Sequence, residues 1–516
     1  MRRGYGWAVF FSRISAAGVL ALAGCGGTGD GPTDGGRRDA ATIDAARPDG
    51  GRDDAGPGDG GPGDGGRDTV DVPFGAFPTA EGFGAEAVGG RGGRVIQVTS
   101  LDDAGPGSLR AACEAEGPRT VVFRVGGTIT VSTPIVIDDP FITIAGHTAP
   151  GDGILVRGNG ARSLSLFRIR THDVILRHLR LRRGPSTEGG ECVGDAIQVD
   201  GELVMIDHVS ASWTTDQLLT FWPARRTTVQ HSILAEALHD STHSDDCTAD
   251  GPLEPHALGP IIGAGSDRVT FYRNVFANNV GRNPAFLNEG GGVMEAVNNL
   301  VYNVCYAMQF NGRGDATLRG NAIGNLIMQG PHSCDGHRNN VLVSGNVEMF
   351  VRDNLTPARN EGDDEWMATS EFLSRTPADP AFQVTTPAET PTTRIMAASE
   401  VFARVPEDAG ARLAAAPDGS FRVAIDAVDA RVLADVRSGT DREGTTGRRL
   451  DHPDDVGGWP TLADGTPYED ADADGMADVW ETAHGLSPSD PEDRNADPDE
   501  DGYTNLEEYL NGTLPG

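Results

Sequence analysis

Two stretches near the end of this chain repeat one pattern of oxygen-bearing side chains. Asp470, Asp472, Asp474, Asp478 and Glu481 stand at positions 1, 3, 5, 9 and 12 of a loop, with Gly475 at position 6. Asp497, Asp499, Asp501, Asn505 and Glu508 repeat the pattern 27 residues later, with Gly502 at position 6. In such a loop alternate side chains converge on one point, the glycine permits the sharp turn, and the final Glu can bind through both oxygens. This is chemistry for a hard divalent cation, and calcium is the expected ion. A merely solvated acidic tail would not put Gly and Glu in register twice. A second candidate is Arg282, in Gly281-Arg-Asn-Pro284, which lies between two short β-like runs at 269–276 and 294–303. If those runs are successive turns of a coil, the arginine is presented on its outer face, where a long substrate could lie.

The elements that must position these residues are short. From Val95 to Asn354 no long helical period appears, and β-rich runs at 119–125, 141–144, 174–179, 203–209, 227–233, 269–276, 294–301 and 316–323 alternate with Gly, Asn and Asp turns. A polar residue recurs at a similar place in six of them: His178, His208, His231, Asn274, Asn299 and Asn321. The intervals are 30, 23, 43, 25 and 22 residues, with 43 read as two turns. Such a period predicts a solenoid whose turns stack on one another, with Asn side chains hydrogen-bonding along the stack. A β-sandwich would need more two-residue hairpin turns than are present. The expected fold is therefore all-β, a parallel β-helix with a small C-terminal calcium-loop module. Between them, 411–416 and 427–436 read as helical, capping the coil or packing along its side.

A chain of 516 residues has room for more than one domain. Met1-Arg-Arg3, an apolar run at 7–23 and Leu22-Ala-Gly-Cys25 resemble a bacterial lipoprotein signal, which makes Cys25 the expected lipidation site. An ordinary secretion signal is the alternative, and both predict export. Residues 26–73 are Gly, Asp, Pro and Arg with hardly any larger apolar side chain, so they cannot offset the entropy of ordering and are expected to form a tether. The formal charge of −34 argues against a nucleic-acid partner, and residues 451–516 carry about −18 of it (19 Asp and Glu against one Arg). All 42 basic residues are Arg. Six cysteines are present; if Cys25 is lipidated, five remain and at least one thiol is unpaired. Export permits disulfides, with Cys247 able to reach Cys334 or Cys192.

Several short motifs occur in one order: Ala80-Glu-Gly-Phe-Gly84, Gly89-Gly-Arg-Gly-Gly93, Leu101-Asp-Asp-Ala-Gly-Pro-Gly-Ser-Leu-Arg110 and Ile144-Ala-Gly-His-Thr-Ala-Pro-Gly151. They are followed by Gly194-Asp-Ala-Ile-Gln-Val-Asp200, Ile206-Asp-His-Val-Ser-Ala-Ser-Trp213, Thr215-Asp216 and Arg282-Asn-Pro284. Together they resemble the right-handed parallel β-helix polysaccharide lyases of the pectate lyase superfamily, over residues 74–354 and more weakly over 426–435. The resemblance implies β-elimination on pectate or a related uronan, an acidic polysaccharide, with Arg282 as proton-abstracting base. Arginine is ordinarily always protonated, so that role requires a depressed pKa or bound cations acting in concert. The resemblance also implies a calcium ion held by Asp195 and Asp216 on neighbouring coils. Val193 and Thr220 depart from the family by standing where acids are usual, and Ala285 and Leu287 replace arginines common in relatives. Arg313, His243 and His256 are then the expected substrate-binding groups, with the two histidines flanking an insertion at 244–254. His208 is expected to be structural, packed in the coil. The acidic tail resembles EF-hand-like or dockerin-like tails of secreted bacterial enzymes, which implies a structural role or attachment to a protein partner.

The expected organisation is a signal at 1–25, a tether at 26–73, the β-helix at 74–360, a packing region at 361–450 and the calcium tail at 451–516. The expected protein is a monomeric, secreted or surface lipoprotein lyase that meets a membrane only through its lipid. The rival is a non-catalytic β-helix that binds glycans or mediates attachment. A glycoside hydrolase on the same fold would need a suitably spaced carboxylate pair, and Asp195 and Asp216 are the only clustered acids expected near Arg282.

Overall fold

The computed structural model describes residues 75–334, 338–374, 376–440 and 449–515. The signal and Cys25 expectations and the tether lie outside the described residues. Short strands stack in parallel into sheets of 17 and 8 strands, the parallel β-helix expected from the repeat. Strands such as Ile197–Asp207 serve two faces of the coil. Their first half pairs with Phe167–Ile169 and their second with His172–Arg177, with a register shift between Val199 and Gly201 on the next coil.

The core is one column of stacked side chains. Val121, Ile144, Leu176, Ile206, Val229, Phe271, Ala296, Ala322 and Val351 are register partners from coil to coil, all buried. Alternation along each strand sends these residues inward and their neighbours out. At the bend beyond the strand runs an asparagine ladder. Asn274 Nδ2 donates to Asn299 Oδ1 (3.0 Å), Asn299 to Asn325 (3.1 Å) and Asn325 to Asn354 (2.8 Å). Each amide also donates to a backbone carbonyl of the previous coil. The expected ladder is thus present, with two corrections. The rung after Asn299 is Asn325 and not Asn321, which instead lies on the outer face and bonds Ala388. The 43-residue interval is not two turns: Thr227–Gln230 pairs directly with Val269–Tyr272, so one coil carries a long excursion through 236–260.

The segment after the coil packs along its side. The helices Ala398–Asp408 and Ala427–Ser438 bury Val401, Val405, Val432, Leu433 and Val436 against Ile233, Val275 and Leu300 of the smaller sheet. The coil itself runs past the expected boundary at 360, since Thr369–Glu371 pairs with Val341–Val343. The helical expectation for 411–416 was a second error: Leu413–Ala415 is a strand paired antiparallel with Phe421–Val423. Pro417-Asp418-Gly419-Ser420 between them is turn chemistry that alanine propensity could not override, with Gly419 at φ 77° and Asp418 Oδ1 accepting from Ser420 N. The tail is not detached. Tyr468, Met476, Leu506, Tyr509 and Leu510 form a cluster with Val95 and Ala145 of the first coils. None of the described helices is long and apolar enough to cross a membrane.

Candidate active site

Asp195, Asp216, His256 and Arg282 sit on the turn that precedes one row of strands. Gln217, Leu258 and Gly281 are bridged in parallel on successive coils, ahead of Leu219, Ile261 and Ala285. That stacking puts Asp216, His256 and Arg282 each within two residues of an aligned position, and Asp195 reaches the same place from the coil before. Residues 21 to 87 apart in sequence (Asp195 to Asp216, and Asp195 to Arg282) are brought to one place because the coil repeats.

Asp195 is buried; its Oδ1 accepts from Gln217 N (2.9 Å) and its Oδ2 from Gln198 Nε2 (2.7 Å). Burial and the Asp216 charge push its carboxyl up to about 7, although those hydrogen bonds and one from Thr220 pull the other way. Burial likewise raises Asp216 to about 6, against the pull of His243 and Arg282. Asp216 Oδ1 lies 3.0 Å from His256 Nε2 and accepts from Gln217 Nε2. His256 stacks on His243 with ring centroids 3.6 Å apart, and His243 Nε2 is 3.1 Å from Asp245 Oδ1. Burial lowers both imidazoles, His256 to about 3 with help from the Arg282 charge. Near neutral pH the pair is uncharged. Asp216, His243 and His256 could therefore offer a metal one carboxylate oxygen and two ring nitrogens within 4.8 Å of one another.

Arg282 is half-buried at φ 62°, in a left-handed backbone conformation, and its guanidinium makes no hydrogen bond or ion pair among the described residues. Its carbonyl leaves no room for a side chain at position 259: a Cβ on Gly259 would come within 2.1 Å of it. Asn283 holds the turn, donating to Tyr306 O and accepting from Asn279. Burial pushes the Arg282 guanidinium below its ordinary value, opposed by the Asp216 and Asp195 charges. Arg313 is exposed at the far end of the row, after Gln309–Gly312, yet its charge bears on Arg282. The five groups Asp195, Asp216, His243, His256 and Arg282 are brought together; Arg313 stands at the margin.

Sequence reasoning missed what supports them. Glu191 is fully buried, ion-paired with Arg183, and accepts from Thr215 and Thr242 (both 2.8 Å). It ties the turn before Asp216 to the start of the insertion, which the disulfide Cys192–Cys247 anchors at its other side. Cys305 pairs with Cys334, leaving Cys113 buried and free. No local spacing marks Glu191, whose partners are set only by stacking; Asp245, two residues after His243 in a polar loop, carried a usable signal. His208 is structural as expected, but at the coil's flank, where it stacks between His178 and His231 and pairs with Asp207 at 2.9 Å.

In the tail the loop geometry forms twice. Asp470 Oδ1 accepts from Asp474 N and Asp470 Oδ2 from Gly475 N, with Asp497 repeating both bonds to Asp501 and Gly502. Gly475 and Gly502 share φ 94°, which suits a residue without a Cβ. Burial raises Asp474 to about 7, Glu481 to about 8 and Glu508 to about 7, each aided by neighbouring carboxylates. Buried acids that repel one another fit a divalent cation.

No protein-family model matches the chain. It is 34% identical over 445 residues to a probable pectate lyase C of Neosartorya fischeri, covering 85% of this chain and 94% of that one. The chain belongs to the pectate lyase family. It is a polysaccharide lyase by that membership. Identity to the corresponding Emericella nidulans protein is also 34%, over 447 residues, and to pectate lyase 5 of Ambrosia artemisiifolia 26% over 275 residues, 49% of this chain and 61% of that one. Solved structures similar to this pectate lyase include Jun a 1, the major allergen from cedar pollen (18% identity, TM-score 0.39, 64% of this chain and 92% of that one). Another is a Bacillus sp. N165 pectate lyase in complex with trigalacturonate (17%, TM-score 0.40, 64% and 98%).

Proposed function

We propose that this pectate lyase cleaves pectate or a related uronan by β-elimination, with Arg282 as the base. The observation that carries this is an arginine with no partner among the described residues, its charge disfavoured by burial, beside two acids on successive coils. In the reaction Arg282 takes the proton from the carbon next to the uronate carboxylate. The C–H electrons become the new C=C bond, the glycosidic C–O bond breaks, and the departing oxygen gains a proton from water. A base whose own charged form is disfavoured holds a free lone pair at lower cost, and a proton taken there is stabilised by Asp216 and Asp195. His243, His256 and Arg313 line the approach for an anionic chain.

Asp195 and Asp216 would hold a calcium ion. Their mutual repulsion is what a cation relieves, and because two carboxylates supply fewer than its six to eight oxygens, substrate oxygens would complete the shell. With the ion bound, negative charge on the substrate carboxylate is neutralised and the neighbouring C–H becomes more acidic. The tail loops would hold calcium separately, through the residues named above. Export, lipid anchoring at Cys25 and a monomeric state complete the reading.

The test is absorbance of the unsaturated product on a panel of uronans, with calcium or chelator, for wild type and Arg282→Ala. Calcium-dependent product that falls by about 10²–10⁴-fold in the variant is expected for loss of a general base. No product on any uronan, with glycan binding retained by both proteins, would instead leave a surface binder.

A further inference from the structure

We propose that the first acidic loop is a composite calcium site, completed by Asp493 from outside the twelve-residue loop, and that filling it clamps the tail onto the first coils of the β-helix. The proposal rests on the tail loops being calcium sites and is independent of the cleft.

The loop's own carboxylates leave a specific deficit. Asp472 Oδ2, Asp474 Oδ2 and both oxygens of Glu481 are shielded from water and have no hydrogen-bond partner, and Glu481 is fully buried. Buried oxygens without donors are rare because each forgoes its hydration. Asp470, Asp472 and Asp474 bring ligand oxygens within 4.8 Å of one another, close enough to share one ion. Position nine has one oxygen engaged: Asp478 Oδ1 accepts from Ala471 N at 2.7 Å, bracing the loop. Asp493 supplies what is missing. Its Oδ1 is also shielded and unpartnered, its other oxygen is held by Ser487 N (2.9 Å), and its charge falls on Asp472, Asp474 and Glu481. Asn505, at position nine of the second loop, donates to the Asp493 carbonyl (2.7 Å) and so links the two loops.

The same loop touches the coil. Asp470 Oδ2 accepts from Gln97 Nε2 at 2.9 Å, and the Arg124 guanidinium lies 3.7 Å from it. A Cβ at Gly475 would meet the side chains of Val95 and Val122 at 3.3 and 3.4 Å, so the loop's sharp turn is seated directly on the sheet. Behind it, Arg91 pairs with Glu507 at 2.8 Å, His147 Nε2 meets Leu510 O at 3.0 Å and Arg177 bonds Asn511 at 2.6 Å. An ion that fixes Asp470 therefore also fixes the interface, and by linkage whatever binds only the docked form stabilises it.

The experiment is a terbium titration of the full chain, followed by sensitised emission from Trp480 in the first loop, with thermal melts and limited proteolysis in calcium or chelator. Asp493→Asn is expected to weaken the Trp480-linked site by about 10-fold or more and to remove most of the calcium-induced protection of the tail. Its melt in chelator should match or exceed wild type, because one uncompensated acid is gone; a lower one would mark a mere packing role and overturn the site. Gln97→Ala, on the coil, should also weaken terbium binding. Unchanged affinity in Asp493→Asn overturns the composite site, and unchanged affinity in Gln97→Ala overturns the clamp. Absence of terbium binding to wild type would remove the tail sites altogether, and none of these outcomes depends on turnover of a uronan.

Discussion

Arg282 differs from the other arginines of this chain in what surrounds it. Arg182 and Arg183 are more deeply buried and are ion-paired with Asp426, Asp429 and Glu191. Arg282 has two acids close enough to act on its charge and a hydrogen bond to neither, so its fork is free for a substrate. Those acids set an expected pH dependence. Asp195 and Asp216 have raised pKa values, near 7 and 6, so both are charged only above that range. If they must be ionised to hold a cation, kcat/KM on a uronan should rise across pH 6–7 and flatten above it. Asp195→Asn should shift that limb towards the value of Asp216 alone while lowering the plateau; an unmoved limb would show that other groups control it. Arg282, Asp195 and Asp216 were legible because each sits in a short motif. Glu191 was not, since its bonds to Thr215 and Thr242 depend on which residues stack beside it.

At the scale of the coil, period was legible and register was not. Asn274 and Asn299 were found because identical side chains recur at one bend, but Asn321 precedes the true rung Asn325 by four residues, a shift that composition does not reveal. The excursion at 236–260 mimicked an extra coil for the same reason: two turns and one turn with an insertion have the same length. The ladder itself carries much of the coil's cohesion. Asn299 makes four hydrogen bonds, donating to Phe271 O and Asn325 Oδ1 and accepting from the backbone and side chain of Asn274. Asn299→Ala leaves a buried carbonyl and a buried N–H unpaired, and at about 1–3 kcal/mol per orphaned group it should lower unfolding free energy by roughly 2–4 kcal/mol. Urea unfolding monitored with calcium present would read this, and a loss below about 1 kcal/mol would mean that water replaces the rung.

The whole molecule is held by attachments along the coil's flank, and two of them respond to pH. Asp408 ends the helix Ala398–Asp408, where a negative charge is unfavourable against the helix dipole unless compensated. It is compensated by His231 Nδ1 at 2.9 Å and by His208 Nε2 at 3.5 Å, while His208 Nδ1 also faces Asp207. Burial alone would neutralise His208, but the Asp207 and Asp408 carboxylates together outweigh it and hold the imidazolium up to about 9. A group whose folded pKa lies above its unfolded value of about 6.5 stabilises the fold fully below that pH, and the contribution vanishes as pH passes about 9. Asp408, with its pKa lowered, keeps its share until strongly acid conditions. The tail works in the same direction when empty: Glu481 and Asp474 have raised values near 8 and 7, so ionising them without a cation also destabilises the fold as pH rises. Calcium must therefore be saturating for the flank to be seen alone. Under that condition the melting temperature should fall between pH 6.5 and 9 in wild type and stay nearly flat in His208→Gln, with a difference in stability at pH 6 of a few kcal/mol at most, about 1.4 kcal/mol per unit of pKa shift. A wild-type profile as flat as the variant's would show that the helix is held by Val401 and Val405 alone, with the His208 charge contributing nothing.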